Sequence, residues 1–271
     1  MEPVYGIDIG GGLGDCIWDY LMNKPFRVLK DFRKKHEVKI CCYVHSHNEH
    51  SMELLRHNRH IDEILVERYG STTPRAVPGL EKSFDLNQYA EEMMPIYLST
   101  PEKQLIDSVA KAGPFAVVHP FAGEKRRCMG GHLHCVLAAL TSRGLRTFVV
   151  GATHSRGEER LIEKCEVDMH NAINLVNKSN IRVCCELIRR AKCFVGTHSA
   201  CQMAAWAYRT PSLTVIPDEL TTYLIPADGH YPHEDPYVTE MFKRDNGIVF
   251  HSQMPHIQRF VDEMLTRLPW A

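Results

Sequence analysis

The chain of 271 residues lacks a charge excess of either sign: 32 Lys and Arg stand against 33 Asp and Glu, a formal net charge of -1. That excludes a whole-chain polyanion binder, though not a local basic pocket. No apolar run approaches the ~20 residues of a membrane span, and no basic-then-apolar leader opens the sequence. The expectation is a cytoplasmic protein without an integral membrane segment, with peripheral membrane contact left open. There is no fixed-period repeat and no low-complexity tract. The cysteine spacing of a small secreted scaffold is also missing. The ten cysteines include the neighbours Cys41-Cys42 and Cys184-Cys185, which are poorly placed to bridge each other. They read as buried thiols in a reducing compartment. With 44% hydrophobic and 24% charged residues, the chain can bury a core without disulfide staples.

Short apolar runs alternate with longer mixed segments. In the first half, strands are expected at residues 4–9, 38–44 and 64–66, with helices at 15–33 (interrupted at Pro25), 52–56 and 102–111. Prolines and Gly79 punctuate residues 69–99, which read as loops and broken helix. The rhythm restarts after Gly113-Pro114. Strands are expected at 115–119, 147–150, 173–176, from Phe194, and at 213–216. Helices are expected at 132–143, 158–165, 181–190 and 202–208, with a last one opening at Pro255. Strand–helix alternation of this kind predicts an α/β fold. Two Rossmann-like parallel-sheet domains are expected, residues 1–113 and 114–271, facing a central cleft. The first is short for a domain of this type.

Three loops at strand-to-helix junctions carry the chemistry. The first is Gly10-Gly11-Gly12-Leu13-Gly14-Asp15. Glycines permit tight turns and close backbone approach to a ligand, and amides at a helix start face an anion. Asp15 reads either as a helix N-cap or as a general base. Ile7-Asp8 before these glycines is also similar to the first phosphate loop of sugar-kinase and actin-like proteins, which the later restart of the rhythm fits less well. The second loop, His119-Pro120-Phe121-Ala122-Gly123-Glu124-Lys125-Arg126-Arg127, places three cations after a strand. They suit a diphosphate, or form a solvated charge run. The third is Val195-Gly196-Thr197-His198-Ser199-Ala200. Its amides and Ser199 suit phosphate or a sugar hydroxyl, and its hydroxyls also suit ordinary N-capping by Thr197 or Ser199.

Together these pieces resemble the heptosyltransferase-like glycosyltransferases of bacterial lipopolysaccharide assembly. The resemblance implies the two-domain GT-B fold and a nucleotide-diphosphate sugar as donor, ADP-heptose in the best-known members. Gly14-Asp15 matches the family's Gly-Asp pair, whose acid is the proposed base. His119-Pro120 matches the family's His-Pro-Gly, with Phe121 in place of the glycine. Lys125 or Arg126 stands near the family's phosphate-binding cation. Where the family has Asp-Ser/Thr-Gly, this chain has His198-Ser199-Ala200, and Met203 occupies the position of a later His. The implied acceptor-side domain is the first, and the nucleotide-sugar domain the second.

The resulting expectation is an inverting, metal-independent sugar transfer to an acceptor hydroxyl on a glycan or other molecule. Asp15 acts as base. Gly12, Gly14, Lys125, Arg126, Arg127, Thr197, His198 and Ser199 bind the donor. Alternatives are a catalytically weak nucleotide-sugar-binding protein, or a nucleotide-sugar epimerase or hydrolase. No cofactor, metal or nucleic-acid partner is expected. The 16 histidines fall into groups, among them His45/His47/His50, Cys128/His132/His134/Cys135 and His230/His233. None has a zinc-ligand spacing.

Overall fold

The computed structural model describes residues 4–9, 13–45, 49–67, 86–123, 127–152, 172–218 and 244–267. The chain divides into two compact units, Met1–Lys103 and Gln104–Ala271. Each is built on a parallel sheet.

In the first unit, β1 (Val4–Ile9), β2 (Lys39–His45) and β3 (Glu63–Glu67) pair in the order β1-β2-β3. All pairs are parallel, with Ile7 opposite Cys42 and Cys42 opposite Ile64. The central strand is buried at Ile40, Cys41, Cys42 and Val44, as expected for a parallel strand covered on both faces. The helix expected over residues 15–33 is three pieces: α1 (Leu13–Met22), α2 (Lys24–Arg27) and α3 (Leu29–Lys35). The break falls at Asn23, whose backbone is extended, and Pro25 sits in the first turn of α2. There its missing N–H costs no helix bond. α4 (Glu49–Leu55) leads to β3. Tyr20, fully buried on α1, donates its hydroxyl to the Pro95 carbonyl at 2.9 Å and accepts from Asn58 Nδ2 at 3.1 Å.

α5 (Thr100–Lys111) leads to Gly113-Pro114 and the first strand of the second unit. That unit holds β4 (Phe115–His119), β5 (Arg146–Val149), β6 (Ile173–Asn174), β7 (Cys193–Thr197), β8 (Ser212–Ile216) and β9 (Gly247–Phe250). Their order is β6-β5-β4-β7-β8-β9, parallel throughout. Every residue of β4, β7 and β8 is buried. Among the described residues, four further helices accompany the sheet: α6 (Leu133–Thr141), α7 (Ile181–Arg190), α8 (Ala200–Tyr208) and α9 (Ile257–Thr266). α7 shows why its sequence is helical. Asn180 caps it by accepting from the Val183 amide at 3.0 Å. Arg189 and Arg190 sit in its last turn, where cations suit the helix dipole, and both pair with buried Glu186.

Three expectations change. The last helix begins at Ile257, because Pro255 lies inside a 3-10 turn over residues 251–256. A similar turn, residues 130–132, precedes α6, which therefore starts at Leu133. β9 was not foreseen. The helix expected at 158–165 lies outside the described residues. The nine described cysteines are free thiols, eight of them buried. Among the described residues, no helix is long and apolar enough to cross a membrane.

Candidate functional site

The strand order of the second unit marks a candidate place for a ligand. The chain runs outward from β4 through β5 to β6, returns to β7 beside β4, and then continues through β8 to β9. β4 and β7 are therefore the topological switch point. In open parallel sheets ligands bind beyond the carboxyl ends of the strands at such a point. The register sets His119, the last residue of β4, opposite Gly196 on β7. The second and third loops of the sequence leave the sheet side by side there.

Polar contacts join the two loops. Ser199 Oγ lies 2.9 Å from His119 Nδ1, and the Thr197 hydroxyl donates to the Phe121 carbonyl. Ser199 is the N-cap residue of α8, but its side chain makes no cap hydrogen bond. The hydroxyl is spent on His119 instead. The first two helical amides, of Ala200 and Cys201, have no intrahelical partner, as at any helix start. They make this a place where an anion is favoured. Thr197 is fully buried, whereas His198, Ser199 and Ala200 are half-buried. The His198 ring lies 6.0 Å from that of Trp206 on α8.

His119 is nearly buried, and burial pushes its imidazole down to about 4. It is neutral at physiological pH, so one ring nitrogen donates and the other accepts. Its ring packs edge-on to Phe121 at 5.9 Å and against Gly151, just past β5. Gly151 has a φ of +120°, and a Cβ there would stand 2.7 Å from His119 Cδ2 and Nε2 and from Phe121 Cδ2. The glycine is thus required twice, by its backbone and by the imidazole that fills the space of its missing side chain. Gly151 is tied onward by its carbonyl, which accepts from the Asn177 amide at 2.8 Å.

The expected site residues fall as follows. Thr197, His198 and Ser199 come together on the loop between β7 and α8. Arg127 is half-buried and begins the described segment that leads into α6. Gly12, Lys125 and Arg126 lie outside the described residues. Gly14 and Asp15 belong to the first unit, as the second and third residues of α1. Asp15 therefore sits within the helix and does not precede it, and only its backbone is described. His119 was quoted in the sequence motif but not assigned to the site, and its place at the end of an apolar strand run, directly before Pro120, could have flagged it. Among the described residues, no group of three or more His, Cys, Asp or Glu could hold a metal ion. In the Cys128–Cys135 group, Cys128 is buried against the Ala122 amide, while His134 Nε2 lies 3.2 Å from Cys135 Sγ.

Known proteins place this architecture. The description of glycosyltransferase family 9 (heptosyltransferase) matches residues 32–218, more than half of the chain. That segment includes β4, β7 and both loops of the second unit, but not the Gly10–Asp15 loop. No curated protein matches the chain by sequence. Among solved structures, the ADP-heptose lipopolysaccharide heptosyltransferase II of E. coli is 10% identical with a TM-score of 0.55, over 98% of this chain and 99% of that one. A family 9 glycosyl transferase from Veillonella parvula is 11% identical at a TM-score of 0.55, over 98% of each chain. The E. coli heptosyltransferase WaaC with ADP is 11% identical at 0.52, over 97% of this chain and 99% of that one. These likenesses are of fold. With the sequence match and the two parallel-sheet units, they lead to one conclusion: the chain belongs to glycosyltransferase family 9, the heptosyltransferase family.

Proposed function

We propose that the protein transfers a sugar from a nucleotide-diphosphate donor to an acceptor hydroxyl, with inversion and without a metal. The observation that carries this reading is the pairing of Ser199 with His119 at the switch point of a family 9 sheet. The second unit holds the donor and the first holds the acceptor. The donor diphosphate lies at the N-terminus of α8, against the amides after Thr197. Ser199 accepts from the Nδ1–H of neutral His119, which leaves its own O–H to donate to a phosphate oxygen or the donor sugar. His198 contacts the nucleotide. Lys125, Arg126 and Arg127 supply the positive charge that steadies the departing diphosphate. Gly12 and Gly14 let the first loop approach closely.

The chemistry is a single displacement. Asp15 takes the proton of the acceptor hydroxyl, whose oxygen attacks the anomeric carbon. The bond from that carbon to the diphosphate oxygen breaks, and its electron pair leaves on the diphosphate. Attack opposite to departure inverts the anomeric centre. Removing the base removes transfer but not donor binding, so Asp15→Asn is expected to lose at least about a hundredfold in kcat with donor affinity unchanged. Turnover by that variant at the parental rate rejects Asp15 as base. Turnover abolished by EDTA and restored by a divalent cation rejects the metal-independent mechanism.

A further inference from the structure

Gln202 is the third residue of α8 and fully buried, yet neither its Oε1 nor its Nε2 has a hydrogen-bond partner. Burying an amide without partners is a net cost, and native proteins keep few such groups. Helix geometry does not explain it. A glutamine at this position commonly reaches back to the N-cap amide, but that would pair Oε1, and Oε1 is unpaired. Packing does not explain it either, since methionine has nearly the same length and no polar atoms to desolvate.

The place of Gln202 in the helix is informative. Side chains on a helix lean towards its N-terminus and cover the preceding turn. For Gln202 that turn is Thr197 to Ser199, the loop joined to His119 at the switch point. The unpaired amide therefore belongs to the first turn of α8, whose leading amides have no intrahelical partner.

We propose that Gln202 reads the sugar of the donor, its amide pairing with hydroxyls of the sugar ring. The inference rests on the reading of this loop as the donor site. A primary amide both donates and accepts. A phosphate satisfies only the donating half, whereas neighbouring sugar hydroxyls satisfy both. The amide is buried, so pairing requires the side chain to turn towards the loop, exchanging an unpaired environment for a paired one.

The test compares sugar-linked and sugar-free nucleotides on the full chain by calorimetry. The probes are ADP, GDP and UDP with ADP-glucose, GDP-mannose and UDP-glucose. With whichever pair the parent binds, Gln202→Met is expected to bind the nucleotide sugar about tenfold more weakly and the nucleoside diphosphate as before. Its Tm is expected to rise, because an unpaired amide has been removed. Gln202→Asn keeps the amide but shortens its reach, and is expected to show the same selective loss. It carries the test if the methionine variant does not fold. If the parent binds sugar-linked probes and both variants match it, Gln202 has no role in the donor and the proposal fails while the donor site stands. Equal loss for the diphosphate and its sugar conjugate also overturns it, showing that the amide serves the nucleotide or the loop. If the parent binds none of the probes, the donor reading itself fails.

Discussion

Two titratable groups in the second unit, buried His119 and half-buried Asp245, pull stability in opposite directions. His119 ionises at about 4 because burial disfavours its charged form, against an ordinary 6.5. Between those values the unfolded chain binds a proton that the folded chain refuses. Its contribution to stability therefore falls as pH drops from about 6.5 to about 4. Asp245 is raised to about 7 from 3.8, again chiefly by burial, although its carboxylate accepts hydrogen bonds from Thr214 and from Ser212 at 3.1 Å. Here the folded chain holds a proton that the unfolded chain has released. Its contribution falls as pH rises from about 4 to about 7. The two slopes oppose over the same window. Asp245→Asn is expected to lose stability on acidification through it, and His119→Gln to gain, each by up to about 1.4 kcal/mol per pH unit. Urea melts from pH 4 to pH 7 measure this, and profiles parallel to the parent's for both variants contradict it. Gly151 is the second residue-scale test. Alanine there meets a φ of +120° and the His119 and Phe121 rings, so Gly151→Ala is expected to cost about 2 kcal/mol or more and to weaken nucleotide binding. A variant as stable as the parent contradicts that packing. The sequence marked the loops at His119 and Ser199 through their glycines, hydroxyls and cations. It could not show the His119–Ser199 contact, which joins residues 80 positions apart and depends on strand order.

At the scale of elements, the segments with the strongest local pattern were the most legible. β4 has the bounds expected from its apolar run, and α7 those expected from its apolar face. α7 also has a cap that the side chain of Asn180 makes explicit. Asn180→Ala is expected to destabilise the second unit by about 1 kcal/mol, read from the midpoint of a chemical denaturation curve. No change in the midpoint means that water replaces the cap at no cost. Two of the misplaced boundaries have a common cause. Pro25 and Pro255 were read as one interruption and one helix start, but proline is compatible with both a first helical turn and a 3-10 turn. β9 is a four-residue strand that pairs with β8 at the sheet edge, and four residues carry too little pattern to separate a strand from a loop. Gly144 lies just beyond α6 with a φ of +72°, the left-handed conformation that glycine past a helix end favours.

At the scale of the molecule, alternating strands and helices foretold two parallel-sheet units, and the sheet order of the second then marks a candidate site at its switch point. Composition could not have done so. Neutral overall charge gives no hint of an anion site, because the charge the proposal draws on is a short run after β4 in sequence and the partial charges at one helix start. The central claim is that a nucleotide sugar binds beyond the carboxyl ends of β4 and β7. Hydrogen–deuterium exchange of the full chain, with and without a saturating nucleotide sugar found by the calorimetric screen, tests it directly. The account predicts new protection at residues 119–123 and 197–203, with the β6 and β9 edges unchanged. Protection confined to other segments, with those two loops exchanging as before, would place the donor elsewhere and contradict the account.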